Sequence, residues 1–307
     1  MSAQPSNLDT LSTPARIVVV GDAMMDVSAR IASDIVYASD TPAKITQQPG
    51  GSGANTAAWL AALGTPVRYV GAVGADPFGE AILHDLREVG VDCHVHVADN
   101  AATGTCIVVV DGSGERTMFP DAGANSRLTP EMVMDAIDET VAHVHVSGYT
   151  LLNPASRAAG LAALDAAEAL GCTISLDPAS VGPLEQHREV IVEQLPRVNV
   201  ILANAAEAAV LVGTDDPHNA VAVLLEVSPV VVIKLGPRGA LAATLGEQLE
   251  RAAIAVPVLD STGAGDAFSA GFLPAWLAGR DLQSALDAGL SAGATAVSRV
   301  GAGPPRP

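Results

Sequence analysis

Lysine is nearly absent from this 307-residue chain. Lys44 and Lys234 are the only two, and fourteen arginines supply the other cations. Basic residues total 16 against 34 acidic ones, a net charge of −18. That deficit excludes general nucleic-acid binding, because phosphate backbones are held by Lys and Arg clusters. Cysteine is also sparse. Cys93, Cys106 and Cys172 are odd in number, lack metal-ligand spacing and lie in apolar or strand-like stretches. They read as small buried hydrophobes in a reducing cytoplasm, not as a disulfide framework. Residues 1–15 are polar and contain no apolar stretch before Ile17, which excludes an ordinary secretory signal there. No apolar run reaches the length of a membrane span; the longest, around 220–235, is broken by Glu226, Ser228 and Pro229. Aromatics make up only 3%, yet apolar residues reach 49%, enough for a sizeable core and too much for wholesale disorder.

Short β-branched runs alternate with Ala/Leu-rich amphipathic stretches. Strands are expected at 16–20, 67–73, 141–146, 172–176, 198–202 and 230–234. Helices are expected at 54–63, 76–89, 154–170, from 205, near 217–227, and at 264–278 and 281–298. This βαβα rhythm predicts an α/β fold with a mainly parallel sheet and helices on both faces. Two stretches, 31–48 and 95–119, carry strands without helices. Thr105–Val110 and Glu115–Phe119, joined by Asp111-Gly112-Ser113-Gly114, read as a hairpin. Together these excursions predict a small β-sheet lid inserted in a single domain covering the whole chain. Residues 1–15 and 304–307 are expected to be flexible.

Two Gly-rich loops carry the chemistry. Asp260-Ser261-Thr262-Gly263-Ala264-Gly265-Asp266 opens a helix. Small residues let backbone N–H groups approach a ligand, and the helix N-terminus adds free donors and partial positive charge, a combination that binds phosphate. Asp266 has two readings at that place: a first-turn acid matched to the helix dipole, or a base beside a phosphate hole. Gly50-Gly51-Ser52-Gly53-Ala54-Asn55 opens a second helix, where Asn55 either binds a polar ligand or caps.

With both loops in view, the chain resembles the PfkB family of carbohydrate kinases, which have the ribokinase-like fold. One signature runs from Gly50 through Gly51, Gly53, Asn55, Ala57 and Gly64 to Gly74, the other from Asp260 to Leu273, and the likeness covers about Arg16 to Gly303. The resemblance implies ATP-dependent phosphoryl transfer to an alcohol of a sugar-like molecule. It assigns Asp266 as the catalytic base and Gly263, Ala264 and Gly265 as the anion hole. Asp26, Gly50, Gly51 and Asn55 fall to sugar binding. Lys234, Gly236 and Gly239 lie on the nucleotide side, and Asn204 and Glu207 act near Mg²⁺ and the phosphates, largely through water. It further implies a monovalent cation such as K⁺, held by carbonyls around Asp260, Thr262 and 298–301.

Ribokinases resemble Gly-Gly-Lys-Gly-Ala-Asn at the first loop. Here the Lys is Ser52, which argues against d-ribose. Arg116 is a candidate for pairing with a substrate carboxylate or phosphate. His143, His145 and Tyr149 surround one strand end, and Asp177 closes another; their roles stay open. Three functions compete: a sugar or sugar-acid kinase, a nucleoside kinase of the same fold, and a silent sugar- or nucleotide-binding protein. A dehydrogenase is disfavoured because no GxGxxG follows the first strand. A small-molecule substrate is expected, without nucleic-acid or membrane partners. An exposed lid edge would allow a homodimer.

Overall fold

A computed structural model describes residues 16–112, 115–279 and 281–306. The expected flexible segment at 1–15 lies outside them. Nine strands form the body. They are β1 (Arg16–Val20), β4 (Val67–Gly74), β5 (Asp92–Ala98), β8 (Val141–Ser147), β9 (Thr173–Asp177), β10 (Val200–Asn204), β11 (Val230–Lys234), β12 (Ala240–Thr244) and β13 (Gln248–Arg251). Their order is β13-β12-β11-β10-β9-β8-β1-β4-β5, parallel from β11 to β5, with β12 and β13 antiparallel at one edge. The other four strands, β2 (Met24–Ile31), β3 (Ala43–Gly50), β6 (Thr105–Val110) and β7 (Arg116–Asp121), form a separate sheet of order β3-β2-β6-β7. The chain therefore has the expected ribokinase-like architecture of a large sheet plus a small one.

Period-two alternation explains the layers. Ile17 and Val19 pack with Trp59 and Ala267 on one face of β1, while Val18 and Val20 pack with Leu151 and Leu164 on the other. Helices Ser52–Ala62 and Ala264–Leu277 cover the first face, and helix Arg157–Ala169 covers the second. A strand buried on both faces reads as a continuous apolar run, as Val230–Ile233 does.

Three sequence expectations need correction. The second sheet starts at Met24, because β2 pairs along its whole length with β3 and with β6. β5 belongs to the body: helix Pro77–Glu88 returns the chain to lie parallel with β4, so 95–98 closes a βαβ unit and is no part of the lid. The stretch before Asp260, read as strand-like, is irregular across 252–259. Near the end of the described residues, Trp59 Nε1 donates to the Ala302 carbonyl and Arg306 pairs with Asp85; Pro307, in the segment expected to be flexible, lies outside them.

Candidate active site

The carboxyl ends of the parallel strands place the polar residues in a row. Gly21-Asp22 follows β1, Ser147 ends β8, Asp177 ends β9, Asn204 ends β10 and Lys234 ends β11. Register aligns Ser147 with Asp177 and Asn204 with Lys234. Strand order reverses around β1, the place where open α/β sheets leave a ligand crevice. A cavity of about 1290 Å³ lies there. That is more than one small ligand needs and is ample for two side by side.

Two helix N-termini face this cavity. Helix Ala264–Leu277 starts behind Gly263, and no side chain caps it; the Ala264 amide leans on the Ser261 carbonyl at 3.3 Å, which leaves the Gly265 and Asp266 amides available to an anion. Gly263 is obligatory there. Its φ is +72°, and a β-carbon would sit 2.7 Å from the Ala302 carbonyl oxygen. Helix Ser52–Ala62 is held instead by Asp22, whose carboxylate accepts from the Ser52 and Gly53 amides and from Ser147 Oγ. Burial raises the Asp22 pKa despite those donors.

Asp266 sits where the two helices meet. Its oxygens accept from Ser52 Oγ at 2.9 Å and from Asn55 Nδ2 at 3.0 Å. Burial, with the nearby Asp177 charge, pushes its pKa up to about 7. Beside it lies Lys234. Its Nζ donates to Asp177 at 2.7 Å, with side chains only 13% and 9% exposed, and it approaches Gly265 so closely that a β-carbon there would be 3.3 Å away. Burial would lower the Lys234 pKa, but Asp177 and Glu207 keep it raised and the ammonium charged. Asn204 and Glu207 form a reciprocal capping box on helix Ala205–Val212. Asn204 Oδ1 accepts from the Glu207 amide, and Glu207 accepts from the Asn204 amide and side-chain nitrogen. Glu207 is nevertheless pushed up to about 8 by burial and by Asp177.

Most sequence candidates meet at this cavity. Asp26, Gly51 and Asn55 line one side. Asn204, Glu207, Lys234, Gly236 and Gly239 line another, and Gly263, Ala264, Gly265 and Asp266 lie between. Gly50 acts one step back. A β-carbon there would be 2.5 Å from Asp26 Oδ2, so its bareness makes room for that carboxylate. Burial and the charges of Asp22 and Asp260 push Asp26 up to about 6. Arg116 is no solvated lid charge. Its guanidinium reaches from β7 to Thr262 Oγ1 and, at 2.6 Å, to Asp260. His143 and His145 are buried and hydrogen-bonded to Thr173 and Ser175, which makes them core residues. Tyr149 lines the cavity.

Asp22 and the Asp177–Lys234 pair escape assignment from sequence. The Gly-Asp step after β1 signals the first. The second spans 57 residues, and only strand register brings it together. The hydroxyl of Ser52 donates to Asp266.

The donor set suits MgATP. Amides and one buried ammonium face the cavity, and acids stand nearby. Among the described residues, no three acidic, His or Cys side chains converge to cage a metal. Mg²⁺ would therefore be carried mainly by phosphates and water, with Asn204 and Glu207 reaching it indirectly.

Comparison with known proteins agrees with this geometry. The profile of the pfkB family carbohydrate kinases matches residues 14–307. An ATP-dependent ribose-1-phosphate kinase from Halopiger xanaduensis is 32% identical over 94% of this chain and 93% of its own. The adenosine kinase structure from Sinorhizobium meliloti superposes with a TM-score of 0.86 at 27% identity, covering 95% and 96% of the two chains. A putative Escherichia coli ribokinase II, solved with ATP and Mg²⁺, gives 0.83 at 27% identity over 94% of each chain. The chain belongs to the pfkB family of carbohydrate kinases and is an ATP-dependent enzyme of that family.

Proposed function

We propose that this kinase moves the γ-phosphoryl group of ATP to a hydroxyl of a sugar or sugar-like small molecule, with Asp266 as general base. The observation that carries the reading is the setting of Asp266. It is a buried carboxylate with a pKa near 7, fixed by Ser52 and Asn55 at an uncapped helix N-terminus. A base tuned near the working pH transfers protons efficiently. MgATP, when bound, supplies the phosphoryl group and part of the charge neutralisation.

The chain's own residues do the rest. Asp26, Gly50, Gly51 and Asn55 hold the acceptor's hydroxyls, so that one of them faces Asp266 Oδ. That oxygen takes the hydroxyl proton as the bond to phosphorus forms. The Gly263, Ala264 and Gly265 amides and the Lys234 ammonium stabilise charge spreading over the transferring group. Gly236 and Gly239 shape the nucleotide side, and Asn204 and Glu207 would hold Mg²⁺ through water, where it would supply charge neutralisation to the phosphates. The carbonyls of Asp260, Thr262 and 298–301 would hold a K⁺ ion, which would add positive charge beside the anion loop. Replacing K⁺ with a large organic cation should lower activity.

The adenosine kinase likeness keeps a nucleoside acceptor as the second reading. A coupled assay of ADP release across pentoses, hexoses, sugar acids, sugar phosphates and nucleosides separates the two. Stimulation by none of them would favour a silent binding protein. Cys93, Cys106 and Cys172 are all free thiols, which suits the reducing, ATP-supplied cytoplasm. No helix among the described residues is long and apolar enough to cross a membrane. Ile45, Ile107 and Phe119 lie exposed on the outer face of the small sheet, which supports a homodimer through the lid.

A further inference from the structure

Three donors on one face of helix Ser52–Ala62 reach towards the start of helix Ala264–Leu277. Ser52, Asn55 and Trp59 are spaced three and four apart, which puts them on the same side of the helix over about 10 Å of its axis. Ser52 Oγ and Asn55 Nδ2 hold the Asp266 carboxylate. One turn further along, Trp59 Nε1 donates to the Ala302 carbonyl at 2.9 Å, across 243 residues of chain. The reaction described above uses the first two donors and gives the third no task.

The Ala302 carbonyl lies directly behind the anion loop. A β-carbon on Gly263 would stand 2.7 Å from the Ala302 oxygen and 2.8 Å from its α-carbon. Gly263 is the residue from which helix Ala264–Leu277 starts, and it has no side chain to fix its own place. The Gly301 amide donates to Asp260 Oδ2 at 3.1 Å, at the other end of the same loop. The 301–302 segment therefore backs the 260–263 loop, and Trp59 pins that backing to the body. The indole is itself held. It is only 2% exposed and lies in one packed cluster with Ala267 and Ala270 of helix Ala264–Leu277 and with Ala292 and Ala296 of helix Leu282–Val297. Helix Ser52–Ala62 thus sets two positions at once, the base through Ser52 and Asn55 and the loop through Trp59. Phosphoryl transfer needs the two in fixed relation, with the base on the acceptor oxygen and the amides on the transferring group.

We propose that Trp59 is a positioning residue for the anion loop. Its N–H, acting through the Ala302 carbonyl and Gly263, holds the first-turn amides of helix Ala264–Leu277 in place for the transferring phosphoryl group. The inference rests on the kinase reading for what the loop holds, and not for the contact itself.

Two substitutions separate the N–H from the bulk of the indole. Trp59→Phe keeps an aromatic ring and removes the donor. Trp59→His loses bulk, but its Nε2 takes the place that Nε1 has in the five-membered ring of the indole. Calorimetry gives Kd for a non-hydrolysable ATP analogue with Mg²⁺ and for the acceptor, and a coupled assay at pH 8 gives kcat. Trp59→Phe should weaken the analogue and lower kcat, each by roughly five- to tenfold, the loss of one buried hydrogen bond. Acceptor Kd should stay within twofold, and the pH midpoint of kcat/KM should not move, because Ser52 and Asn55 still hold Asp266. Trp59→His should recover analogue binding and kcat to within about threefold of wild type, although it melts below Trp59→Phe because it buries less apolar surface. A purely structural role would order activity by melting temperature and put Trp59→His last, and that order overturns the proposal. So does a Trp59→Phe protein within twofold of wild type in kcat and analogue Kd, or one with a shifted pH midpoint, which would place the effect on the base. If Trp59→Phe does not fold, benzothienylalanine at position 59 keeps the shape of the indole without its N–H and is held to the same outcomes. It is introduced in a Trp276→Phe background, Trp276 being the other of the two tryptophans. Weakened analogue binding in a protein that phosphorylates no acceptor keeps the role of Trp59 and overturns the assignment of base and acceptor.

Discussion

The two halves of the cleft are built on different principles. The body half, from β8 to β11 and the 263–266 loop, works with backbone amides and buried charges held in fixed geometry. The lid half presents side chains from one face of a small sheet, and its outer face is exposed to solvent. Burial makes the body half expensive to alter: the charge of Asp177 and their own burial shift the ionisation of Lys234, Glu207 and Asp266. The lid half is cheap to alter, because Arg30 and Lys44 are exposed and Arg116 partly so. Chemistry common to a family belongs in the first kind of structure, and choice of substrate in the second.

This contrast predicts a graded set of losses. Asp266→Asn should lower turnover roughly 10²–10⁴-fold, with acceptor Kd nearly unchanged by calorimetry; a kcat near wild type would break the division. Lys234→Met should come next. It leaves Asp177, Glu207 and Asp266 facing one another, and breaking a buried pair costs about 3–5 kcal/mol. Its melting temperature should fall, and the pH midpoint of activity should move up, because Lys234 now lowers the Asp266 pKa.

Ser52→Ala removes a donor to Asp266, worth about 1 kcal/mol or roughly fivefold in kcat/KM, and should also shift the midpoint upward. Arg116→Ala is expected to be the mildest. The ion pair it loses is partly exposed and worth at most about 1 kcal/mol, so KM should rise a few-fold and kcat should move less. A loss at Arg116 larger than at Ser52 would mean that closing the lid matters more than tuning the base.

Legibility in the sequence follows the same line. The body is readable because parallel strands are continuous apolar runs and several helices stop at a glycine, as at Gly64, Gly90 and Gly171. The 263–266 loop is readable because small residues before a helix and an acid in its first turn are local. What stays hidden depends on distance along the chain. Arg116 reaches Asp260 across 144 residues, and Asp177 meets Lys234 across 57. No local pattern encodes either contact. β5 is hard to place for a related reason. Its half-buried, polar-interrupted run fits a lid strand as well as an edge strand of the body.

Stability should record the cost of the catalytic arrangement. The folded protein binds a proton at Asp266 up to about pH 7, whereas a free Asp releases it near 3.8. Between those values the folded state holds more protons than the unfolded one, so this residue's contribution to stability falls as pH rises. Asp266→Asn should therefore melt higher than wild type at pH 8, by on the order of 2–4 °C for each kcal/mol relieved.

The most direct test of the account is the pH dependence of kcat/KM for the preferred acceptor. Asp266 must be ionised to accept a proton, so kcat/KM should rise through a midpoint near pH 7 to a plateau, and the residual activity of Asp266→Asn should lack that rise. A wild-type profile flat from pH 5.5 to 9, or the same rise in Asp266→Asn, would contradict the claim that this buried carboxylate is the base.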